Sequence, residues 1–207
     1  LDEHMRHATS KMAHIHFVAN DTAKARLVQM GEHPHTIFTI GSPEIDIMTS
    51  KLPTLAQAQK RYAIPYKRYG ILIYHPVTTE LSLLDQHASE LVQTVAKSDM
   101  NYVVICPNND PGSDIILEQY RKHFYGNPKF RVFPSVRFEF FLSLLKDTHF
   151  IIGNSSSAVR EAPHFGVPSI NVGTRQADRV TTASITNCDH SEKEILTITS
   201  EHTTTQI

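Results

Sequence analysis

A run of small hydroxyl side chains stands directly after an apolar stretch near residue 155. Ser155, Ser156 and Ser157 follow "FIIGN" and can donate hydroxyl hydrogen bonds to an anion that approaches closely. A helix that begins here also offers unsatisfied backbone N–H groups and a partial positive charge, which suit a phosphate. Asn154 stands where a helix N-cap would be, and Asn-Ser-Ser-Ser is by itself a good capping sequence. Phosphate binding and simple helix capping are therefore both open from these residues alone.

Other polar side chains near this stretch could hold the remainder of a nucleotide. Glu161, further along the predicted helix, can accept hydrogen bonds from ribose hydroxyls or can pair on the surface with a neighbouring arginine. Arg175 and Arg179 in "TRQADR" carry guanidinium groups that bind phosphate bidentately, although such a loop is also typical of a solvated surface. His75 and Glu80, after an earlier strand, are candidates for diphosphate contacts or for local capping.

Short apolar strands alternate regularly with amphipathic helices after Gly70. This alternation predicts an α/β fold, a doubly wound, Rossmann-like parallel sheet covered by helices on both faces. We predict strands at 71–74, 102–106, 130–133, 150–153 and 169–172, and helices at 79–97, 114–124, 138–146 and 155–164. Such a sheet has strand order 3-2-1-4-5, and ligands bind where the order reverses, between the first and fourth strands. The loops 75–80 and 154–159 leave these two strands, so topology and side-chain chemistry predict the same site.

The first part of the chain is organised differently. A helix at 2–13 precedes the strand "HIHFVAN", the helix "TAKARLVQM" and the strand "TIFTIG". The stretch that follows is polar, carries prolines at both ends of a short helical pattern, and is typical of a connector. We therefore predict three parts: the remnant of an N-terminal Rossmann-like α/β domain at 1–45, a connector at 46–69, and a C-terminal nucleotide-binding Rossmann-like domain at 70–200.

The overall composition limits which classes of function are open to the chain. A net charge of -1 over 207 residues argues against a general binder of nucleic acid or of acidic membranes. Two cysteines are too few for a disulfide framework and are typical of the reducing cytoplasm. No apolar run approaches the roughly 20 residues that cross a bilayer. The 13 histidines, including the pairs His14/His16 and His33/His35, lack a recognisable metal-binding spacing, so we predict no metal.

The segment "GNSSSAVREAPHFGVPSINVGTRQADR", with "IGSPEID", "YHPVTTE" and "HIHFVAN" upstream, resembles the hydrolysing UDP-N-acetylglucosamine 2-epimerases of the sialic acid and legionaminic acid type. The motifs keep their order through residues 2–197. The resemblance implies the GT-B fold, in which two Rossmann-like domains hold a UDP-sugar between them, and it implies no cofactor. It also implies an enzyme that eliminates UDP across C1 and C2 and then hydrates the glycal, which releases an N-acetylmannosamine-type sugar.

The resemblance also assigns roles to individual residues by their place in the motifs. The assignments are Ser155 and Ser156 for the diphosphate, Glu161 for the ribose, the backbone near Phe141 for the uracil, and Arg175 beside the phosphates. His16 of "HIHF" resembles a histidine that reaches the phosphates from the edge of the other domain. Read from the residues alone, Phe141 lies on an apolar helix face and is expected in the core.

Two parts of the family pattern have no counterpart in this chain. The resemblance begins late in the family's first domain, whose earlier part supplies acidic residues that move protons at C2 and activate water. It stops before the family's closing glycine-rich segment and final helix. The resemblance therefore implies a C-terminal half that binds a UDP-sugar weakly and is inactive alone, from a cytoplasmic family that tends to form homodimers.

Two alternatives and the identity of the sugar stay open at this point. The chain could be the C-terminal domain of a GT-B glycosyltransferase, although "GSPEID" together with "GTRQ" favours the epimerase. It could also be a non-catalytic nucleotide-binding or interaction domain on the same fold. For an epimerase, N-acetylglucosamine and a 2,4-diacetamido-6-deoxy sugar are both compatible with the sequence.

Overall fold

The computed structural model describes residues 2–176 and 182–204, and the chain divides into two units at residues 1–51 and 52–207. The first unit consists of helices α1 (Asp2–Met12), α2 (Asp21–Gln29) and α3 (Pro43–Thr49), a 3-10 turn at Pro34–Thr36, and strands β1 (His16–Val18) and β2 (Ile37–Thr39). The two strands are parallel and pair in the register His16 with Ile37 and Phe17 with Phe38. Because successive side chains of a strand point to opposite faces, His16 and Ile37 are buried while Phe17 and Phe38 are exposed.

The second unit contains an α/β sheet. Its elements are α4 (Leu55–Tyr62), β3 (Gly70–Ile73), α5 (Leu84–Lys97), β4 (Tyr102–Ile105), α6 (Ser113–His123), β5 (Phe130–Phe133), α7 (Phe138–Lys146), β6 (Ile151–Gly153), α8 (Glu161–His164), β7 (Ser169–Val172), β8 (Ile185–Cys188) and α9 (Glu192–Thr204), with 3-10 turns at Leu81–Leu83 and Ser156–Ala158. Within the described residues, six strands form one sheet in the order β5-β4-β3-β6-β7-β8. Every neighbouring pair in this sheet is parallel.

This topology confirms the predicted doubly wound fold and its strand order. The five predicted strands are β3 to β7, and the order reverses between β3 and β6, the first and fourth of them. Strand β8 is an addition that the sequence analysis missed. Its sequence "ITNC" lies at the sheet edge and only Cys188 is fully buried, so it lacks the continuous apolar run that marks the other strands.

The core lies on both faces of this sheet. Leu72, Val104 and Ile152 point to one face, where they are buried with side chains of α5, α6 and α9. The alternate positions Ile71 and Ile151 are buried on the opposite face. Because the strands are apolar throughout, both faces of the sheet carry apolar side chains that are buried, as the alternation of strands and helices predicts.

The predicted continuous helix at 155–164 is wrong. The chain forms the 3-10 turn Ser156–Ala158, breaks at Arg160, where φ is -116°, and only then starts the four-residue helix α8. Pro163 accounts for the break, because in a continuous helix it would remove one backbone hydrogen bond and clash with the carbonyl of Val159. In α8 it falls in the first turn, where no intrahelical N–H bond is needed. A long helix dipole therefore does not support phosphate binding here.

Residues 52–69, predicted as part of a connector, fall in the second unit. The helical pattern in them is helix α4, which begins with a capping box formed by Thr54 and Gln57. In the part of the chain that the structure covers, no helix combines the length and the apolar character needed to cross a bilayer.

Candidate nucleotide-binding site

Asn154 joins three loops at the point where the strand order reverses. Its side-chain oxygen accepts a hydrogen bond from the backbone N–H of His75 at 2.7 Å, and its side-chain nitrogen donates to the His75 carbonyl at 2.8 Å. Its own backbone carbonyl accepts from Arg175 Nη1 at 3.1 Å and from Gln176 Nε2 at 2.8 Å. Asn154 is 1% exposed, so water does not compete for these bonds. One residue therefore holds together the loops after β3, β6 and β7.

The predicted capping role of Asn154 is wrong, since Ser155 is the N-cap of the 3-10 turn. Ser155 Oγ accepts a hydrogen bond from the backbone N–H of Ser157 at 3.3 Å, and the two serine hydroxyl oxygens lie 3.4 Å apart. Ser155 is buried, while Ser156 and Ser157 are half-buried. The serines thus form a hydroxyl-lined turn that follows Asn154. One of them, Ser155, also caps this turn.

The close approach of β3 and β6 requires glycine at the end of β6. Gly153 has a φ of 128°, and a Cβ there would lie 2.0 Å from the carbonyl oxygen of Ile73. The same carbonyl accepts a hydrogen bond from the backbone N–H of Asn154 at 3.2 Å. Gly153 therefore lets the chain cross the strand reversal and places Asn154 against the loop after β3.

His75 is held as a neutral imidazole with a defined tautomer. Burial lowers its pKa to about 4, with a further contribution from the positive charge of Arg175. Its Nδ1 accepts a hydrogen bond from the backbone N–H of Asn108 at 3.1 Å, so the proton of the neutral ring lies on Nε2. His75 can therefore donate from Nε2 to an acceptor such as a phosphate oxygen. The sequence analysis did not single out the loop containing Asn108 and so missed this orienting contact.

The loop after β7 carries Arg175, whose guanidinium is positively charged. Arg175 reaches the Asn154 carbonyl and lies close enough to His75 to affect its titration. Arg179, which was predicted to act with it, lies outside the described residues. Glu80 is the N-cap residue of the 3-10 turn that follows it, but its side chain makes no capping hydrogen bond in the described chain, and its carboxylate instead accepts a hydrogen bond from Thr174 Oγ1. Glu80 therefore ties the loop after β3 to the loop after β7.

Glu161 and Phe141 both lie on the helices that flank this region. Glu161 is the first residue of α8 and is 6% exposed, so the alternative of a surface carboxylate is wrong. Phe141 is buried in α7, as its apolar face predicts, with its ring 6.5 Å from that of Phe138. Helices α7 and α8 contact each other. Helix α8 also contacts the serine turn, so it lies between that turn and α7 along the packed elements.

His16 lies in the first unit and pairs there with a carboxylate. Its Nε2 is 3.2 Å from Glu32 Oε2, and Lys11 Nζ is 2.8 Å from Glu32 Oε1. Lys11 and His16 hold the pKa of Glu32 below its ordinary value, against a smaller opposing effect of burial. The predicted contact of His16 with phosphates stays a prediction.

A second group of polar residues, His87, His190 and Tyr74, packs against the loop after β7. His190 packs so tightly on Gly173 that a Cβ there would meet its ring at 2.7 Å, and its Nε2 lies 2.7 Å from the Tyr74 hydroxyl. His87 stacks on His190 with ring centroids 3.9 Å apart. Burial, followed by His87, lowers the pKa of His190 to about 4. No short motif in the sequence marked this cluster.

A cavity of about 510 Å³ lies beside the His190 cluster. Its lining includes the carboxylates of Glu80, Glu90, Asp189 and Glu192. Such a lining repels a diphosphate. Among residues 2–176 and 182–204, no three potential metal ligands come together.

Comparisons with known proteins agree on one family. The sequence profile of the family described as UDP-N-acetylglucosamine 2-epimerase matches residues 1–206. The chain is 48% identical over 196 residues to the UDP-N-acetylglucosamine 2-epimerase of Neisseria meningitidis serogroup B, covering 94% of this chain and 52% of that protein. It is 34% identical over 199 residues to the hydrolysing UDP-N,N'-diacetylbacillosamine 2-epimerase of Legionella pneumophila, covering 95% and 52%.

A solved structure shows the same fold at low sequence identity. The Methanocaldococcus jannaschii UDP-GlcNAc 2-epimerase, solved with UDP-GlcNAc and UDP, aligns with a TM-score of 0.64 and 14% identity, over 93% of this chain and 55% of that one. The chain thus spans about half the length of the curated relatives it matches. The profile nevertheless covers almost all of this sequence. The chain therefore belongs to the UDP-N-acetylglucosamine 2-epimerase family.

Proposed function

We propose that the junction around Asn154 binds the UDP part of a nucleotide sugar, and that the complete protein is a hydrolysing UDP-N-acetylglucosamine 2-epimerase. The observation that carries the proposal is the convergence of anion-binding groups at the strand reversal. The serine turn, the Nε2–H of His75 and the guanidinium of Arg175 all belong to loops that Asn154 ties together. Relatives whose names include the word hydrolyzing support the reaction type.

The proposed UDP pose follows from the chemistry of each group. The diphosphate takes the hydroxyls of Ser155 to Ser157 and the charge of Arg175, because His75 is neutral and contributes a hydrogen bond only. The buried carboxylate of Glu161 accepts from the ribose hydroxyls. The backbone near Phe141, on the neighbouring helix α7, takes the uracil. These assignments place the nucleotide at the carboxyl ends of the strands, where open parallel sheets bind their ligands.

In the proposed reaction, this chain stabilises the leaving group. Removal of the C2 proton and cleavage of the bond from C1 to the UDP oxygen give a glycal, and addition of water then releases the free sugar. Negative charge develops on the departing UDP. Donors that are already oriented by Asn154 and Asn108 stabilise that charge without reorganising. The family resemblance assigns proton transfer at C2 to acidic residues of the family's first domain.

The sugar and the assembly belong to the same proposal. Identity is higher to the Neisseria relative than to the Legionella relative, which supports N-acetylglucosamine as the sugar. We also propose a cytoplasmic enzyme that forms a homodimer, as the resemblance implies. Release of free N-acetylmannosamine by the complete protein, with no acceptor present, would separate an epimerase from a GT-B glycosyltransferase.

Calorimetric titration of the 207-residue chain with UDP tests the proposal. We expect a Kd in the high-micromolar to millimolar range, which corresponds to a binding free energy of about -4 to -6 kcal/mol. Ser155→Ala and Glu161→Ala should each raise the Kd about three- to tenfold, because each removes a hydrogen-bonding group from the nucleotide. Ser89→Ala on α5 and Glu118→Ala on α6 are the matched controls, since both side chains bond only to their own helix.

Two outcomes would contradict the proposal. One is the absence of heat at millimolar UDP with a folded chain. The other is binding that Ser155→Ala and Glu161→Ala leave unchanged, which would show that the serines serve only as a cap. Thermal unfolding of each variant is measured in parallel, because Ser155 caps the 3-10 turn and its loss also affects stability.

A further inference from the structure

The side chain of Gln176 is buried, and only one end of its amide is engaged. Gln176 is 5% exposed, and its Nε2 donates to the Asn154 carbonyl at 2.8 Å. The orientation of the amide is determined by this contact, because a carbonyl oxygen requires the nitrogen and not the oxygen to face it. Among the described residues, the Oε1 atom of Gln176 has no hydrogen-bond partner.

A buried acceptor without a partner is unfavourable, so its place in the fold is informative. Gln176 follows Arg175 on the loop after β7, and both side chains donate to the backbone carbonyl of Asn154. Asn171 offers a comparison, because its buried Oδ1 also lacks a partner in the described chain. That residue lies within strand β7, however, where its nitrogen donates to Asn187 at 2.8 Å. Of these two side chains, only that of Gln176 bonds to Asn154, the junction of the loops proposed to hold the diphosphate.

The missing partner must be a hydrogen-bond donor, which excludes the diphosphate itself. Phosphate oxygens at neutral pH only accept hydrogen bonds, as does Gln176 Oε1. Two groups are attached to the diphosphate of a UDP-sugar, the ribose and the sugar. The ribose hydroxyls are assigned to the carboxylate of Glu161. The donors that are left are the hydroxyls and the acetamido N–H of the sugar.

We propose that Gln176 Oε1 accepts a hydrogen bond from the sugar of the UDP-sugar, and that Gln176 is a specificity-determining residue. This inference rests on the proposed function, since it takes the diphosphate to lie at the Asn154 junction. It predicts that Gln176 distinguishes a UDP-sugar from UDP alone. A site built around a buried acceptor also disfavours a ligand that lacks the matching donor, because the acceptor is then left unpaired.

The test compares two ligands on two proteins. Calorimetry gives the Kd of UDP and of UDP-N-acetylglucosamine for the full chain and for Gln176→Met, which has a similar length and no amide. We expect the variant to raise the Kd of UDP-N-acetylglucosamine about three- to tenfold more than that of UDP, the range of one hydrogen bond to a buried group. The ratio of the two constants cancels any general disturbance of the loop.

Two further arms define the donor and the control. With UDP-2-deoxyglucose, which has no donor at C2, a selective loss like that for UDP-N-acetylglucosamine identifies a sugar hydroxyl as the donor, and its absence identifies the acetamido N–H. Asn171→Leu removes the comparison amide in β7 and should change the two Kd values by the same factor. Gln176→Asn keeps an amide but shortens the stem by one methylene, and it provides a second variant if Gln176→Met does not fold.

The outcomes separate this inference from the proposed function. Equal changes in both Kd values would show that Gln176 only holds the Asn154 carbonyl, and unchanged values would show no role in binding. Either result overturns the inference while UDP binding by the unmodified chain leaves the proposed function standing. Failure of the unmodified chain to bind UDP would overturn both.

Discussion

At the scale of single residues, the candidate site depends on buried polar side chains with defined partners. Asn154 uses both ends of its amide on the backbone of His75, and this contact leaves the His75 ring to meet Asn108 through Nδ1. His190 likewise lies against Gly173 and bonds to Tyr74. Burial keeps both histidines neutral at pH 7. Their neutral state couples the stability of the fold to pH.

We predict that the free energy of unfolding falls as the pH decreases from about 6.5 towards 4. His75 and His190 each have a pKa of about 4 in the fold, against the ordinary histidine value of 6.5 in the unfolded chain. Between these values the unfolded chain binds more protons, so lower pH favours it, by at most about 1.4 kcal/mol per pH unit for His75 and by less for the more exposed His190, whose shift solvent screening reduces. Urea unfolding at pH 7.5, 6 and 5 measures the slope.

Variants assign that slope to its residues. His75→Gln and His190→Gln should each reduce the pH dependence in this window, because glutamine does not titrate. Ser89→Ala on α5 changes no titratable group, so it is the matched control and should leave the slope unchanged. The lowered pKa of Glu32 affects stability mainly below the ordinary glutamate value of 4.5, which lies outside the measured range. A slope that neither histidine variant reduces would contradict the assignment.

At the scale of elements, the ends of strands and helices decide the geometry of the site. Strand β6 ends at Gly153, whose positive φ and close approach to Ile73 turn the chain towards the loop after β3. The segment that follows is a 3-10 turn and a short helix because Pro163 does not fit a continuous helix. The site is therefore a set of loop ends tied together by hydrogen bonds.

We predict that Gly153→Ala destabilises the chain by about 3 kcal/mol or more. The new Cβ would lie 2.0 Å from the Ile73 carbonyl oxygen, so β3 and β6 would have to separate. Gly166→Ala is the matched control, because Gly166 also has a positive φ, 69°, but nothing lies within 4 Å of its added Cβ. The control should lose only about 1 kcal/mol from backbone strain. Equal losses in urea unfolding would show that the strand ends have room to move.

Many of the strands and helices and their bounds could be predicted from the sequence. The predicted bounds of β5, α7 and β7 are those observed, because each carries a compact apolar run flanked by polar residues or proline. Strand β8 was missed because its half-buried edge position needs few apolar residues. The break at Arg160 was missed although Pro163 signalled it, because a run of helix-compatible residues precedes that proline.

At the scale of the whole molecule, the proposed UDP site falls within one of the two units. Asn154, His75, Arg175 and Glu161 all lie in residues 52–207, whereas His16 lies in residues 1–51. The family resemblance assigns a phosphate contact to His16. The relative contributions of the units to UDP binding therefore test that assignment.

We predict that a chain of residues 52–207 binds UDP with a Kd within about threefold of that of the full chain. Such a difference in binding free energy is smaller than the typical contribution of one hydrogen bond. All the groups around Asn154 are retained in it. Titration calorimetry measures the affinity, circular dichroism checks the fold, and His16→Ala in the full chain is the matched comparison. A larger loss in both would place His16 at the phosphates.

The sequence by itself determined the alternation of strands and helices, the order of β3 to β7 and the position of the candidate site. These follow from local apolar patterns and from the constant handedness of parallel crossovers. Only the tertiary structure decided that Asn154 bridges loops and does not cap a helix, that His75 is neutral, and that Gln176 has an unused acceptor among the described residues. The physical reason is that these properties arise from burial and from contacts across 79 and 22 residues, which no local pattern encodes.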